Sequence, residues 1–154
     1  YFAELLDAFS PEGAAEDATY RLATATIHAV EEGVAPRVLA RYIEAWLLKL
    51  HGLYPSLDRC SSCGSALPAG DREYHYPAHG FVCAQCGRAA SGPTVSASAR
   101  DFLARIFKQA PNTLTEREVP AGIESFHQQL VERHLERDLP SLRMLKDLTR
   151  ETAS

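Results

Sequence analysis

Apolar positions recur at helical spacing through most of this chain. Phe2, Leu5, Leu6 and Phe9 share one face of a short amphipathic helix. Ser10-Pro11-Glu12-Gly13 breaks it. A second helix is predicted from about Ala15 to Glu32, burying Leu22, Ala23, Thr26, Ile27 and Val30, with Gly33 as its stop. Pro36 suits the first turn of a third helix, which carries Val38, Leu39, Tyr42, Ile43, Trp46, Leu47 and Leu50 on to Gly52. This is the most apolar segment and the expected centre of the core.

Between Leu53 and Pro93 the pattern changes. Gly, Pro, Ser and Cys become frequent, and only Glu73-Tyr74-His75-Tyr76 and Gly80-Phe81-Val82 read as short strands. So few apolar residues cannot close a core of their own, which points to a small β module held by metal. Helical spacing returns from about Ser96 to Gln109, with Phe102, Leu103, Ile106 and Phe107 inward. An extended piece is expected from Thr113 to Val119. A further helix runs from about Ile123 to Leu135, with Phe126, Leu130, Val131, His134 and Leu135 on one face. Pro140 and Ser141 then open a short last helix bearing Leu142, Leu145 and Leu148, with Ser141 as its cap. The expected architecture is mainly α: a helical bundle domain in two parts, 1–56 and 94–154, with a zinc-ribbon-like four-cysteine β module, 57–93, inserted between them.

Cys60-Ser61-Ser62-Cys63-Gly64 and Cys83-Ala84-Gln85-Cys86-Gly87 carry the chemistry. A Cys-x-x-Cys turn presents two thiolates to one point, and two such turns fill the four tetrahedral corners that Zn2+ prefers. The glycine after each pair is expected to let the chain turn with positive φ. Two disulfides or a rubredoxin-like iron would also use four cysteines. Nothing in the sequence indicates secretion or a redox partner, so structural zinc is the reading adopted. Four thiolates leave no corner for a reactive water, so the metal is not catalytic. His75 and His79 lie near the site and read as surface residues of the β module.

Composition narrows the function classes. The 154 residues carry a net charge of −4, with 45% hydrophobic and 23% charged residues, the balance of a globular domain. No apolar run is long enough to cross a bilayer, no signal-peptide pattern is present, and the chain begins at Tyr1 as a portion of a longer protein would. Residues 1–32 are acid-rich apart from Arg21, whereas Arg88, Arg100, Arg105 and Lys108 cluster with a single Asp101. Those four could extend a basic DNA-binding face, or be an ordinary solvated surface. No glycine-rich phosphate loop, Gly-x-Ser-x-Gly elbow or His-Glu-x-x-His is present, and His127 with His134, seven apart, makes no catalytic pair. An enzyme is not expected.

One resemblance organises these features. Arg41-Tyr42-Ile43-Glu44-Ala45-Trp46-Leu47-Leu48, then Gly52, Pro55, Leu57 and the first cysteine pair, resembles the central segment of bacterial RecO, a recombination mediator family. Glu4-Leu5-Leu6, Gly80 with the second cysteine pair, and His134-Leu135-Glu136 through Leu139-Pro140-Ser141 and Leu145 follow in the family's order. The resemblance implies a cytoplasmic, nucleoid-associated repair protein whose N-terminal OB fold precedes this region. It also implies binding and annealing of single- and double-stranded DNA, partnership with RecR, help in loading RecA, and recognition of the acidic, hydrophobic C-terminal tail of the single-stranded DNA-binding protein SSB. A tail that ends in an apolar residue and a free carboxylate needs an apolar groove with a cation at its rim. Arg37 and Arg41, four apart beside Trp46, are the candidates, and ion pairs with Glu44 or Glu32 are the alternative for them. A zinc-ribbon adaptor of a transcription or translation factor, and the metal-stapled part of an enzyme, are the competing readings.

Overall fold

The structure is a computed structural model that describes residues 1–10, 16–87, 92–135 and 139–144. Its helices are α1 (Phe2–Phe9), α2 (Asp17–Glu31), α3 (Pro36–Leu50), α4 (Ala97–Ile106) and α5 (Ile123–Leu135), with a further helical stretch at 140–144. Between α3 and α4 lie three short strands, β1 (Arg72–His75), β2 (Gly80–Phe81) and β3 (Thr94–Val95). The fold is therefore mainly helical, with a small sheet and a cysteine cluster set into it.

α3 is the axis of the molecule. Every residue from Val38 to Ala45 is buried, with Leu47 and Leu48, so this helix is covered on all sides, and α1, α2, α4 and α5 pack on it. Trp46 lies at its edge, packed edge-on against Phe107 and donating its indole N–H to the Ile106 carbonyl at 3.1 Å. α2 buries only part of the face expected, Leu22 and Thr26, and is rotated away from the rest. Thr19, Leu22, Thr26 and Ala29 are buried, whereas Ile27 and Val30 are 59% and 52% exposed. The helix has two apolar stripes, and periodicity alone does not say which of them meets α3.

The sheet order is β2-β1-β3, antiparallel throughout, with Tyr74 opposite Phe81 and Arg72 opposite Val95. β3 carries no alternation long enough to be read from sequence, and the predicted strand residue Tyr76 instead opens a 3-10 turn. The segment expected to be extended from Thr113 to Val119 contains 3-10 turns at Pro111–Thr113 and Glu116–Glu118, the second closed by a Thr115/Glu118 capping box. Ser96 caps α4 through Ala99 N–H, which places its start one residue inside the expected span.

The β module has no separate interior. Cys60, Leu67, Tyr74, Phe81 and Val95 belong to the same apolar cluster as the helices. The joint is aromatic: Phe126 of α5 lies 5.6 Å from Tyr74 and 5.9 Å from Phe81 between ring centroids. Ser141, expected as a helix cap, lies inside the helical stretch instead: its N–H donates to Glu4 at 3.1 Å and its hydroxyl to the same carboxylate, which ties 139–144 to α1. Leu139 and Leu142 are buried there, while Leu145 and Leu148 fall outside the described residues.

Candidate metal centre

Each cysteine pair sits on a turn built by its own backbone. In the first, Cys60 N–H bonds Ser65 O, Gly64 N–H bonds Cys60 O at 2.8 Å, and an Arg59–Ala66 bridge closes the loop. Gly64 takes φ 72°, as expected of a residue that must turn left-handed. The second turn differs. Cys86 and Gly87 N–H groups bond Cys83 O at 3.0 and 2.9 Å, yet Gly87 is not among the positive-φ glycines. It is needed for space: a Cβ there would meet Val82 Cγ2 at 2.4 Å.

The two turns are locked together at one place. Ser61 N–H donates to Phe81 O at 2.8 Å, and a Cβ on Gly80 would come within 2.0 Å of Ser61 Oγ. This close approach brings all four sulfurs within 4.8 Å of one another, with Cys63 and Cys83 Sγ 3.8 Å apart. Four sulfurs at about 2.3 Å from a tetrahedral zinc stand about 3.8 Å from each other, so a cluster of this size is compatible with one metal ion held by all four. All four are free thiols, with no disulfide.

Electrostatics favour the same occupant. The Cys83 N–H, 3.3 Å from Cys60 Sγ, is the largest influence pulling the Cys60 thiol down to about 6. Cys86 goes the other way, to about 12, because hydrogen bonds to Cys83 and Cys63 hold its proton. Four thiols this close cannot all ionise alone, and a divalent cation removes the conflict. Cys60, Cys63, Cys83 and Cys86 would hold zinc with every corner taken, and the ion would supply cross-linking, not reactivity. His75 and His79 lie outside the cluster; His75 Nδ1 instead accepts the Ala78 N–H at 3.2 Å.

Arg100, a candidate for DNA, is built into the module. Its guanidinium donates to Leu57 O at 2.7 Å, Gly70 O at 3.1 Å and Pro68 O at 3.4 Å, and so clamps the loop onto α4. Nearby, Asp71 accepts the Ala97 N–H at the start of α4. Arg105 is paired with Glu118 at 2.5 Å, and that hydrogen bond, with those from Thr115, holds the Glu118 carboxyl down to about 2. Lys108 is exposed, and Arg88 falls outside the described residues. The four basic candidates are thus not brought together as one free face among the described residues.

Arg41 is equally committed. It is 1% exposed and pairs with Glu44 at 2.6 Å, with Glu124 at 3.9 Å; Arg37 is half-buried at the start of α3. The ion pair with Glu44 is the alternative that the sequence raised for Arg41, whereas the wider cluster around the pair was not foreseen. Glu44 also accepts from Tyr1 and from His127 Nδ1 at 3.1 Å, while His127 Nε2 meets the Tyr54 hydroxyl at 2.8 Å. The available signal was a glutamate three residues after an arginine inside the most apolar helix, where only mutual pairing makes either tolerable.

The matches to known proteins run through these same elements. Residues 1–143 match the family described as recombination protein O C terminal. A DNA repair protein RecO of Koribacter versatilis is 34% identical over 96% of this chain and 61% of its own length. The RecO of Geobacter metallireducens is 37% identical over 63% of this chain and 41% of its own. That of Listeria monocytogenes is 30% identical over 56% and 33%. This chain therefore spans about three fifths or less of the length of these relatives. With helices, cysteine module and order of elements all falling inside the matched span, the chain belongs to the RecO family, in its C-terminal part.

Proposed function

We propose that this chain is the helical, zinc-bearing part of a recombinational DNA repair mediator. In this reading the whole protein binds and anneals single- and double-stranded DNA, works with RecR, and helps load RecA onto SSB-coated strands. This chain supplies scaffold and partner surface, and no catalysis. The observation that carries the proposal is the family match from residue 1 to 143 over a module whose four clustered sulfurs could hold a metal ion. Among the described residues no helix is long and apolar enough to cross a membrane.

Buried pairing with Glu44 removes Arg41 from the rim of any groove. For the SSB tail we place the carboxylate instead at Arg21, which is exposed beside a cavity of about 270 Å³ between α2 and α3. Leu22, Tyr42, Trp46 and Leu50 line it and no carboxylate does, which suits an apolar chain end carrying a free carboxylate. The test is calorimetric affinity for a short SSB tail peptide. Arg21→Ala is expected to weaken it by about tenfold, the scale of a lost charge-assisted contact. Unchanged affinity in folded Arg21→Ala would reject the groove. Loss in Arg37→Ala alone would return the tail to the start of α3. DNA contact by the whole protein is proposed to lie mainly in the OB fold implied by the family, with the exposed Lys108 contributing from this chain.

A further inference from the structure

We infer that the cavity between α5, the β module and the loop after α3 binds a phosphate group carried on a nucleotide. The cavity measures about 550 Å³, within the usual range for small-molecule sites. Arg133 and His134 reach it from α5, and His79 from the turn between β1 and β2. None of its lining residues is acidic.

All three basic residues are exposed, and none makes a hydrogen bond or ion pair through its side chain with a described residue. The Arg133 guanidinium lies 4.5 Å over the Tyr76 ring, whose hydroxyl donates to Gln129 at 2.6 Å. His134 stacks on Phe9 at 5.1 Å. His79 sits in the left-handed region at φ 48°, its N–H bonded to Tyr76 O at 3.1 Å. A non-glycine residue there carries backbone strain that the surrounding turn must hold. The result is a set of exposed N–H donors around one cavity, none of them hydrogen-bonded to a described residue. A tetrahedral phosphate offers acceptors in several directions and pairs well with a guanidinium fork, which suits donors arriving from two separate elements. Tyr54, Tyr74 and Leu130 form the remaining wall. This apolar surface has no use for a bare ion but suits the sugar or base attached to one.

The test uses the zinc-loaded chain with 15N-labelled histidine. Inorganic phosphate, a 5′-mononucleotide, and a short oligonucleotide with and without a 5′-phosphate are titrated, with imidazole shifts and calorimetry as readouts. The mononucleotide is expected to shift His79 and His134 and to bind about tenfold more tightly than inorganic phosphate. Arg133→Gln should weaken it by about tenfold, since a charge-assisted fork is lost. His79→Gly removes the ring and relieves the left-handed backbone, so it should lose affinity while keeping its melting temperature. Oligonucleotide binding that needs the 5′-phosphate assigns the ligand to a terminal nucleotide. Binding that survives its removal, and is still lost in Arg133→Gln, assigns it to an internal phosphodiester. Absence of imidazole shifts with every probe, or equal affinity in both variants and the parent chain, would overturn the site. Equal affinity for phosphate and mononucleotide would overturn the nucleotide assignment.

Discussion

Replacing Glu44 by Gln separates a buried ion pair with almost no change of shape. Glu44 is wholly buried and accepts from Arg41 at 2.6 Å, from His127 at 3.1 Å and from Tyr1. The single amide oxygen of Gln can replace Oε1, facing Tyr1 and Arg41, or Oε2, facing His127, but not both, and in either case the charge opposite Arg41 is gone. Arg41 then keeps only Glu124, 3.9 Å away and partly in solvent. Removing one partner of a buried pair costs about 3–5 kcal/mol, and the Glu124 contact puts Glu44→Gln near about 3. With a urea slope of about 2 kcal/mol/M, the midpoint should fall by about 1.5 M. Arg41 Nε and Nη1 already lack hydrogen-bond partners, so the pair is not fully compensated even when intact. Arg41→Met combined with Glu44→Gln should therefore return to within about 1 kcal/mol of the parent, a coupling of about 2 kcal/mol or more. Urea unfolding of the four chains measures it. A loss below about 1 kcal/mol for Glu44→Gln, or a double variant equal to the sum of the singles, would refute the buried-pair reasoning.

The same cluster predicts acid sensitivity. Burial pushes the His127 imidazole down, past the opposing pull of Glu44. Burial pushes the Glu44 carboxyl up, but Arg41, His127 and Tyr1 together outweigh it and hold it below the ordinary carboxylate value. Both folded values lie below the unfolded ones, so both contributions are complete at neutral pH and are lost as pH falls, His127 first from about pH 6.5. His127→Gln should flatten the stability profile between about pH 7 and 5, and a slope unchanged in that window would contradict the assignment. Gly80→Ala drives a methyl into Ser61 and should cost about 1–3 kcal/mol with weakened metal retention; Ser61→Gly in the same chain should recover most of it, read by thermal melts and metal content. By carbon NMR, the Glu118 carboxyl should titrate near 2 and move back toward 4.5 in Arg105→Ala; a titration unmoved by that substitution would show that Arg105 is not its cause.

What the sequence shows and what it hides divide along physical lines. The helices α1 to α5 were legible because each buries a stripe at helical period, and the cysteine pairs because metal ligation demands short, fixed spacing. On α2 the inward Leu22 and Thr26 were legible, but the exposure of Ile27 and Val30 was not, since they are as apolar as Leu22 and only the position of α3 chooses between them. Arg100 looks like a surface cation in sequence and is spent on loop carbonyls; Arg41 was open to two readings, groove rim or ion pair, and only the packed helices decide for the second. β3 is two residues long and exists only because β1 offers it an edge. The sharing of one core by module and helices is likewise invisible, because Phe126 meets Tyr74 and Phe81 across more than forty residues of chain.

That shared core makes the central claim measurable through a residue of the helical body. Trp46 is the only tryptophan, and it sits on α3 against Phe107, outside the cysteine module. Its fluorescence melt is recorded on the purified protein, with metal analysis, before and after a strong chelator. One zinc per chain is expected, and chelation should lower the Trp46 transition by about 10 °C or more, because the staple supports the core that α3 shares. A protein that carries no zinc, or a Trp46 transition that does not move when zinc is removed, would contradict it.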